Sequence, residues 1–360
     1  MKIGIIGLPN SGKTTVFNAL TGLEADAGPV PTAAGEPHVG MVQVPDRRID
    51  HLAAAYQPKK TTYADIELLD LAGLLPGSGS QVLNQVRDVQ ALIQVVRAFD
   101  NEMVPAYENR VAPAADVDLV EAELLFADLE LVERRLERIA AGLQKGQNRD
   151  FLLQEQAVLQ KCHAALEDEK PLRELAFSAE EERLLRTYQL LTKRPELFVV
   201  NHDEGLAPAA VEQLVATVRK QLRSGQTEVV ALSAKVEMEI AQLEAGDRRL
   251  FMEDLGIEEP ALNLVARQTY RLLGLISFFT VGPDEVKAWT IEEGTPAVKA
   301  AGKIHSDIER GFIRAEVLAY DDFVACEGDF GRAKKAGTLR LEGKDYQVRD
   351  GDIINFRFNV

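Results

Sequence analysis

Four short stretches of this sequence carry residue types that handle phosphate, a divalent metal and a purine base. Gly7-Leu8-Pro9-Asn10-Ser11-Gly12-Lys13-Thr14 reads G-x-x-x-x-G-K-[ST], the phosphate-binding loop of nucleotide hydrolases. The backbone of Asn10, Ser11, Gly12, Lys13, Thr14 and Thr15 would turn N–H groups toward one point, and the positive end of a helix dipole would face the same point. Lys13 would reach the terminal phosphates, and the Thr14 hydroxyl would ligate magnesium. Asp70-Leu71-Ala72-Gly73 supplies the matching D-x-x-G, with Asp70 able to hold a magnesium-bound water and the Gly73 N–H able to sense a γ-phosphate. Asn201-His202-Asp203-Glu204 and Ser233-Ala234-Lys235 come later, each directly after an apolar run, where loops that read a base occur.

Elements suited to carry these loops surround them. Lys2 to Ile6 is a short β-branched run fit for a strand buried on both faces, and Lys13 to Leu20 has apolar residues at helical spacing, stopped by Thr21-Gly22. Thr21 to Pro37 is aperiodic and rich in Gly, Pro, Ala and Thr, hence a loop. A weak strand over Val39–Val44, a short helix opening at Pro45–Asp50 and a strand over Tyr63–Leu69 lead to Asp70. Gln81 to Gln90 reads as helix and Ala91 to Phe99 as a central strand. Glu196–Val200 and Glu228–Leu232 are further strands, separated by a helix from Pro208 to Leu222. Leu74 stands where Ras-like enzymes carry the glutamine that orients the attacking water. A leucine cannot do that, so hydrolysis is expected to be slow or to use other groups; Leu74 reads equally well as a core residue.

Between these α/β stretches the texture changes. Leu125, Leu129, Val132, Leu136, Ile139 and Leu143 follow a heptad seam, and Leu152, Leu159 and Leu166 recur at seven beyond a polar break. Two amphipathic helices in an antiparallel hairpin follow, either an ordinary packing element or a partner-binding arm. Ser178 and Glu181 form a capping box for a third helix. The hairpin is therefore inserted into one α/β domain, with expected divisions of 1–116 and 195–277 for that domain, 117–194 for the arm and 278–360 for a small α+β domain. In the last, Val286–Thr290 and Gly311–Val317 alternate as strands, and Arg349-Asp350-Gly351-Asp352 turns the chain into a final strand. Arg332, Lys334, Lys335 and Arg340 form a local basic cluster, read as a solvated loop ahead of an RNA site.

Composition bounds the function class. The 360 residues are 46% hydrophobic and 27% charged, an ordinary soluble profile too long for one core. Forty-one basic against 57 acidic residues give a net charge of −16, which argues against coating nucleic acid through bulk charge. No apolar run reaches the roughly 18 residues of a membrane span, and the N-terminus lacks the pattern of a signal peptide. Cys162 and Cys326 fit no metal or redox spacing and the five histidines are scattered, so reduced thiols in the cytoplasm are expected.

The base loop departs from a guanine reader. In N-K-x-D the lysine stem stacks on the base and the aspartate takes two guanine hydrogen bonds; His202 and Glu204 replace them, and the longer carboxylate is displaced by a methylene. Loss of such a polar clamp removes several powers of ten in discrimination. Asn201 and backbone groups are left to read an adenine edge, which points to ATP, with GTP weaker.

Together the phosphate loop, Asp70–Leu74, Asn201–Glu204, Leu232-Ser233-Ala234-Lys235-Val236-Glu237 and the run Ala300–Val317 closely resemble the Obg-like ATPase (YchF) family over essentially the whole chain. The resemblance implies a P-loop NTPase (Ras-like) α/β domain, an inserted helical coiled-coil hairpin and a C-terminal ubiquitin-like β-grasp (TGS) domain. It implies a cytoplasmic ATPase of the translation-factor class, with a regulatory, stress-related role. Its partners would be the ribosome or a ribosomal subunit, with rRNA or tRNA reached through the TGS domain and arm, and no membrane. Asn10 matches an asparagine that helps hold potassium beside the phosphates in related enzymes. Two departures fall in the parts expected to move with nucleotide. The family's usual threonine falls at Ala34, leaving Thr32 as a candidate metal or γ-phosphate ligand only if the loop shifts by two residues. The stretch after Leu74 is shorter than the family's and lacks its lysine. A GTPase of the Obg type and a nucleotide-gated binding module with little hydrolysis are the alternatives.

Overall fold

Twelve strands occur among the described residues, 1–25, 37–75, 77, 79–145, 148–222 and 227–359 of the computed structural model. They are β1 (Lys2–Ile6), β2 (His38–Gln43), β3 (Lys60–Thr62), β4 (Asp65–Asp70), β5 (Ala91–Ala98), β6 (Glu196–His202), β7 (Thr227–Leu232), β8 (Leu275–Thr280), β9 (Glu285–Glu292), β10 (Phe312–Ala319), β11 (Arg340–Glu342) and β12 (Asp352–Phe358). The first eight α-helices are α1 (Lys13–Thr21), α2 (Arg47–Tyr56), α3 (Gly79–Asn84), α4 (Pro113–Gln144), α5 (Arg149–Glu167), α6 (Ala179–Leu185), α7 (Pro208–Gln221) and α8 (Ala234–Gln242).

The chain divides into two compact units, Met1–Met41 with Glu67–Val265, and Val42–Ile66 with Ala266–Val360. Val42–Ile66 therefore groups with the C-terminal residues, unlike the division expected from sequence. The cause is local pairing: β3 runs parallel to β9, from Lys60 opposite Glu285 to Thr62 opposite Lys287. Arg48 adds a two-pronged contact to Asp350, at 2.8 Å and 3.1 Å.

In the first unit the sheet order is β2-β4-β1-β5-β6-β7, and β1 pairs in parallel with both β4 and β5, β5 with β6, and β6 with β7. A parallel sheet covered on both faces requires continuous apolar strands, and β1, β5 and β6 are buried along nearly their whole length. All four chemistry-bearing loops leave the C-terminal ends of these strands, where open α/β sheets place their ligands. The expected helix over Gln81–Gln90 is shorter: α3 ends at Asn84, and the chain continues through turns such as Val86 N to Leu83 O (3.2 Å).

The heptad residues meet as expected. Val132, Ile139, Leu159 and Leu166 are buried in one cluster with Leu125, Leu129, Leu136, Leu143 and Leu152 packed against it. Arg135 reaches Glu155 (2.7 Å) and His163 lies 3.3 Å from Glu133, so α4 and α5 run antiparallel. The Ser178–Glu181 capping box has both of its bonds, 2.7 Å and 3.2 Å. Two carboxylates, Glu121 and Glu196, share the buried Arg173 guanidinium. One cation neutralises one carboxylate, and Glu196, fully buried, is the one pushed up, to about 8, by that burial.

The second unit's sheet has the order β11-β10-β12-β8-β9-β3. β8 and β9 form an antiparallel hairpin, β10 pairs antiparallel with β12, and β12 runs parallel to β8. The helix Ala297–Ile304 buries Ala297, Ala300 and Ala301 in one core with Phe278, Val317 and Ile354 of this sheet. Arg332, Lys334 and Lys335 lie on a helix, Phe330–Ala336, capped by Asp329, where a loop was expected. Arg340 is engaged by Glu342 (3.2 Å) and Asp352 (3.5 Å). Cys162 is buried and Cys326 half-buried, both as free thiols. Among the described residues no helix is long and apolar enough to cross a membrane.

Candidate functional site

The loop from Gly7 to Gly12 needs its glycines. Gly7 has φ +145° and Gly12 φ +93°, and a Cβ on either would strike the Val95 carbonyl oxygen (2.4 Å) or the Asn201 amide nitrogen (2.3 Å). Gly73 is crowded by Pro9, whose Cα would lie 2.7 Å from an added Cβ. This close approach lays the D-x-x-G segment directly on the phosphate loop, and the Leu74 N–H donates to the Gly7 carbonyl (3.0 Å).

Lys13 and Thr14 open α1, with Thr15 half-buried beside them. The Lys13 ammonium donates to the Leu8 carbonyl (2.8 Å), and burial pushes its pKa down to about 8, partly offset by the Asp70 carboxylate. A triphosphate arriving there would favour the charged form. The Thr14 hydroxyl donates to Asp70 Oδ2 (2.7 Å). Asp70 is 4% exposed, and its Oδ1 is buried without a hydrogen-bond partner. Ser11 Oγ is likewise buried and unpartnered. An orphaned carboxylate oxygen beside a threonine hydroxyl is a donor set that fits a hard divalent cation such as magnesium. Thr32 lies outside the described residues.

A histidine that sequence reasoning did not single out completes this corner: His38 Nδ1, at the start of β2, is 3.4 Å from Asp70 Oδ2. Arg97 was also missed. It is 3% exposed, and its guanidinium donates to the carbonyls of Phe99 (3.1 Å), Asn10 (3.0 Å) and Val104 (2.7 Å) while lying 4.1 Å over the Phe99 ring. An arginine within an apolar strand run was the available signal. Asn10 has φ +60°, and its amide donates to the Pro105 carbonyl (3.1 Å), so two contacts tie the tip of the phosphate loop to the segment after β5.

At the base loops Asn201 takes a bridging position that the sequence did not show. Asn201 is 5% exposed; its Nδ2 donates to the Ser11 carbonyl (3.0 Å) and its Oδ1 accepts from the Ala234 N–H (3.0 Å). Its amide therefore bridges the phosphate loop and the Ser233-Ala234-Lys235 loop. Glu204 pairs with Lys235 at 3.0 Å, both exposed, and this contact raises the lysine's pKa. His202 Nδ1 lies 2.8 Å from the Asp203 carbonyl oxygen. Glu237, next to this loop, accepts from the Ala261 (2.8 Å) and Leu262 (3.3 Å) N–H groups, which gives it a structural role. Leu74 is fully buried among Ile6, Leu8, Leu69, Val82 and Leu83, so its side chain is a core group.

A glycine loop between a buried parallel strand and a helix, with a carboxylate from the neighbouring strand on the helix's first threonine, defines a P-loop NTPase. Residues 2–123 match a family described as a 50S ribosome-binding GTPase, and residues 275–359 match the YchF-GTPase C-terminal family, described as a protein of unknown function. The chain is 43% identical to the ribosome-binding ATPase YchF of Bacillus subtilis (strain 168), over 99% of each chain. It is 42% identical to that of Escherichia coli O157:H7, over 100% of this chain and 99% of the other. The structure of the Schizosaccharomyces pombe YchF GTPase superposes with a TM-score of 0.85 at 32% identity, covering 99% of this chain and 97% of that one. A GTP binding protein from Pyrococcus horikoshii OT3 shares the fold, with a TM-score of 0.62 at 19% identity over the full length of both. The chain belongs to the YchF family. The relatives' names divide between ATPase and GTPase, which leaves the nucleotide to be argued from the base loops.

Proposed function

We propose that this chain binds ATP with magnesium, hydrolyses it slowly to ADP and phosphate, and uses its nucleotide state to govern binding to the ribosome. The observation that carries the reading is the Asp70–Thr14–Lys13 corner, where an unpartnered buried carboxylate oxygen and a depressed ammonium stand at one helix N-terminus. Thr14 and Asp70 would hold the magnesium, which when bound neutralises charge on the β- and γ-phosphates. Lys13 and the N–H groups from Asn10 to Thr15 would hold the phosphates, and Gly73 would report the γ-phosphate through its backbone. With Asn10 Nδ2 tied to Pro105, its Oδ1 is the atom that would face a potassium ion.

ATP is favoured over GTP because Glu204 is a methylene longer than the guanine-reading aspartate and is paired with Lys235. With Asn201 bridging two loops, the adenine edge falls to His202 and the backbone. The ribosome comes from the relatives' names; the α4–α5 arm (117–194) and the TGS domain (278–360) are the surfaces proposed to reach it, through rRNA or tRNA. The first compact unit, apart from the arm, is proposed as the nucleotide domain in place of the sequence-based parts 1–116 and 195–277, and the cytoplasm as the place of action.

Full burial of Leu74 favours one second reading, a nucleotide-gated binding module with little hydrolysis. Calorimetric titration of Lys13→Ala tests the site: tight ATP binding should vanish, and unchanged affinity sinks the assignment. Single-turnover assays with ribosomes and potassium separate the readings, since phosphate release supports the ATPase and its absence in every condition supports the module.

A further inference from the structure

We propose that His38 is a nitrogen ligand to the divalent cation that accompanies the triphosphate, making this a mixed nitrogen–oxygen site suited to late first-row metals as well as magnesium. The inference rests on the nucleotide site proposed above and adds to it a ligand outside every motif.

The contact between His38 and Asp70 is long for a hydrogen bond and leaves room for an ion to be shared. His38 Nδ1 and Asp70 Oδ2 are 3.4 Å apart, beyond the usual 2.7–3.2 Å range of an N–H···O bond. Two donor atoms on one ion, each about 2.1 Å from it and separated by about 90–110°, lie roughly 3.0–3.4 Å from each other. The 3.4 Å histidine–aspartate separation fits two ligands sharing a cation. The other carboxylate oxygen, Asp70 Oδ1, is buried and unpartnered, the second sign that a cation belongs here, while Thr14 donates at 2.7 Å to Oδ2, the oxygen that His38 faces.

The ring is also held in place. Two residues along β2, a Cβ at Gly40 would meet Thr21 Cγ2 at 2.4 Å and Phe17 Cζ at 3.0 Å, so the strand backbone there lies directly against α1 side chains. Phe17 stands 6.3 Å from the imidazole at 33°, flanking one side of it. The His38 side chain is 47% exposed, which leaves its edge open to an arriving metal–nucleotide complex. Magnesium prefers oxygen ligands and retains its waters, whereas imidazole favours later first-row ions, with affinity rising from manganese through iron and cobalt to nickel. A nitrogen donor at this position therefore shifts selectivity toward those ions.

The test uses the full chain with a non-hydrolysable ATP analogue. With Mn2+ and 15N-labelled histidine, pulsed electron paramagnetic resonance should show the coupling of a directly bonded histidine nitrogen, absent in His38→Ala. Titrating Co2+ and Mg2+ into the analogue complex should show the Co2+:Mg2+ affinity ratio falling about tenfold or more in His38→Ala, the scale of a perturbed metal shell. If metal and analogue bind the unaltered protein without histidine coupling, or the ratio is unchanged in the variant, the His38 assignment is overturned and the nucleotide site stands. If the analogue does not bind with any of the three metals, both fall.

Discussion

Asn201 separates two roles that the sequence alone runs together, reading a base and holding the loops that surround it. In Asn201→Ala the Ser11 carbonyl and the Ala234 N–H each lose a 3.0 Å partner in a site that is 5% exposed. A buried neutral group left unsatisfied costs about 1–3 kcal/mol. With water admitted to the vacated space, the two together should cost roughly 2–4 kcal/mol of stability. Gly12 closes against the same amide, so the phosphate loop should loosen and ATP and GTP affinities should fall in parallel. Asn201→Asp keeps the acceptor for Ala234 but sets a buried carboxylate oxygen against the Ser11 carbonyl, so it should destabilise at least as much as Asn201→Ala. Urea unfolding of the free chain and paired titrations with ATP and GTP read both quantities. Unfolding free energy left unchanged, with an altered ATP:GTP ratio, would refute the bridge and restore Asn201 as a base reader.

Arg97→Ala removes three charge-assisted bonds to carbonyls. Hydrogen exchange at residues 99–104 and at the phosphate-loop tip should accelerate together, and unchanged protection would show the clamp to be idle. For Glu196 the sign follows from its raised pKa. Between the ordinary value of 4.5 and about 8 the folded chain holds a proton that the unfolded chain has released, so this stabilisation is full below 4.5 and is lost as pH rises through 8. Urea midpoints across that window should decline less steeply in Glu196→Gln than in the unaltered chain, and parallel slopes would contradict the assignment.

Local signals were legible and long-range ones were not. The phosphate loop, its strand and its helix could be read because each is set by neighbours a few residues away. The heptad leucines reported their burial because a helix repeats its face. β3 was missed because Lys60-Thr61-Thr62 has no apolar pattern to betray an edge strand. His38 and Asp70 meet across 32 residues, and no periodicity encodes that approach. Asn201 was found by position but not its bridging bonds, which run to Ser11, 190 residues earlier, and Ala234, 33 residues later. Arg97 was the avoidable miss: a guanidinium in a buried strand must find acceptors, and the nearest are the carbonyls of adjoining loops.

Competition of a labelled nucleotide by ATP and GTP, on the full chain with magnesium, bears hardest on the base-site reading. ATP should win by at least about tenfold, or 1.4 kcal/mol, because Glu204 and His202 cannot form the guanine clamp. A clear preference for GTP would contradict it.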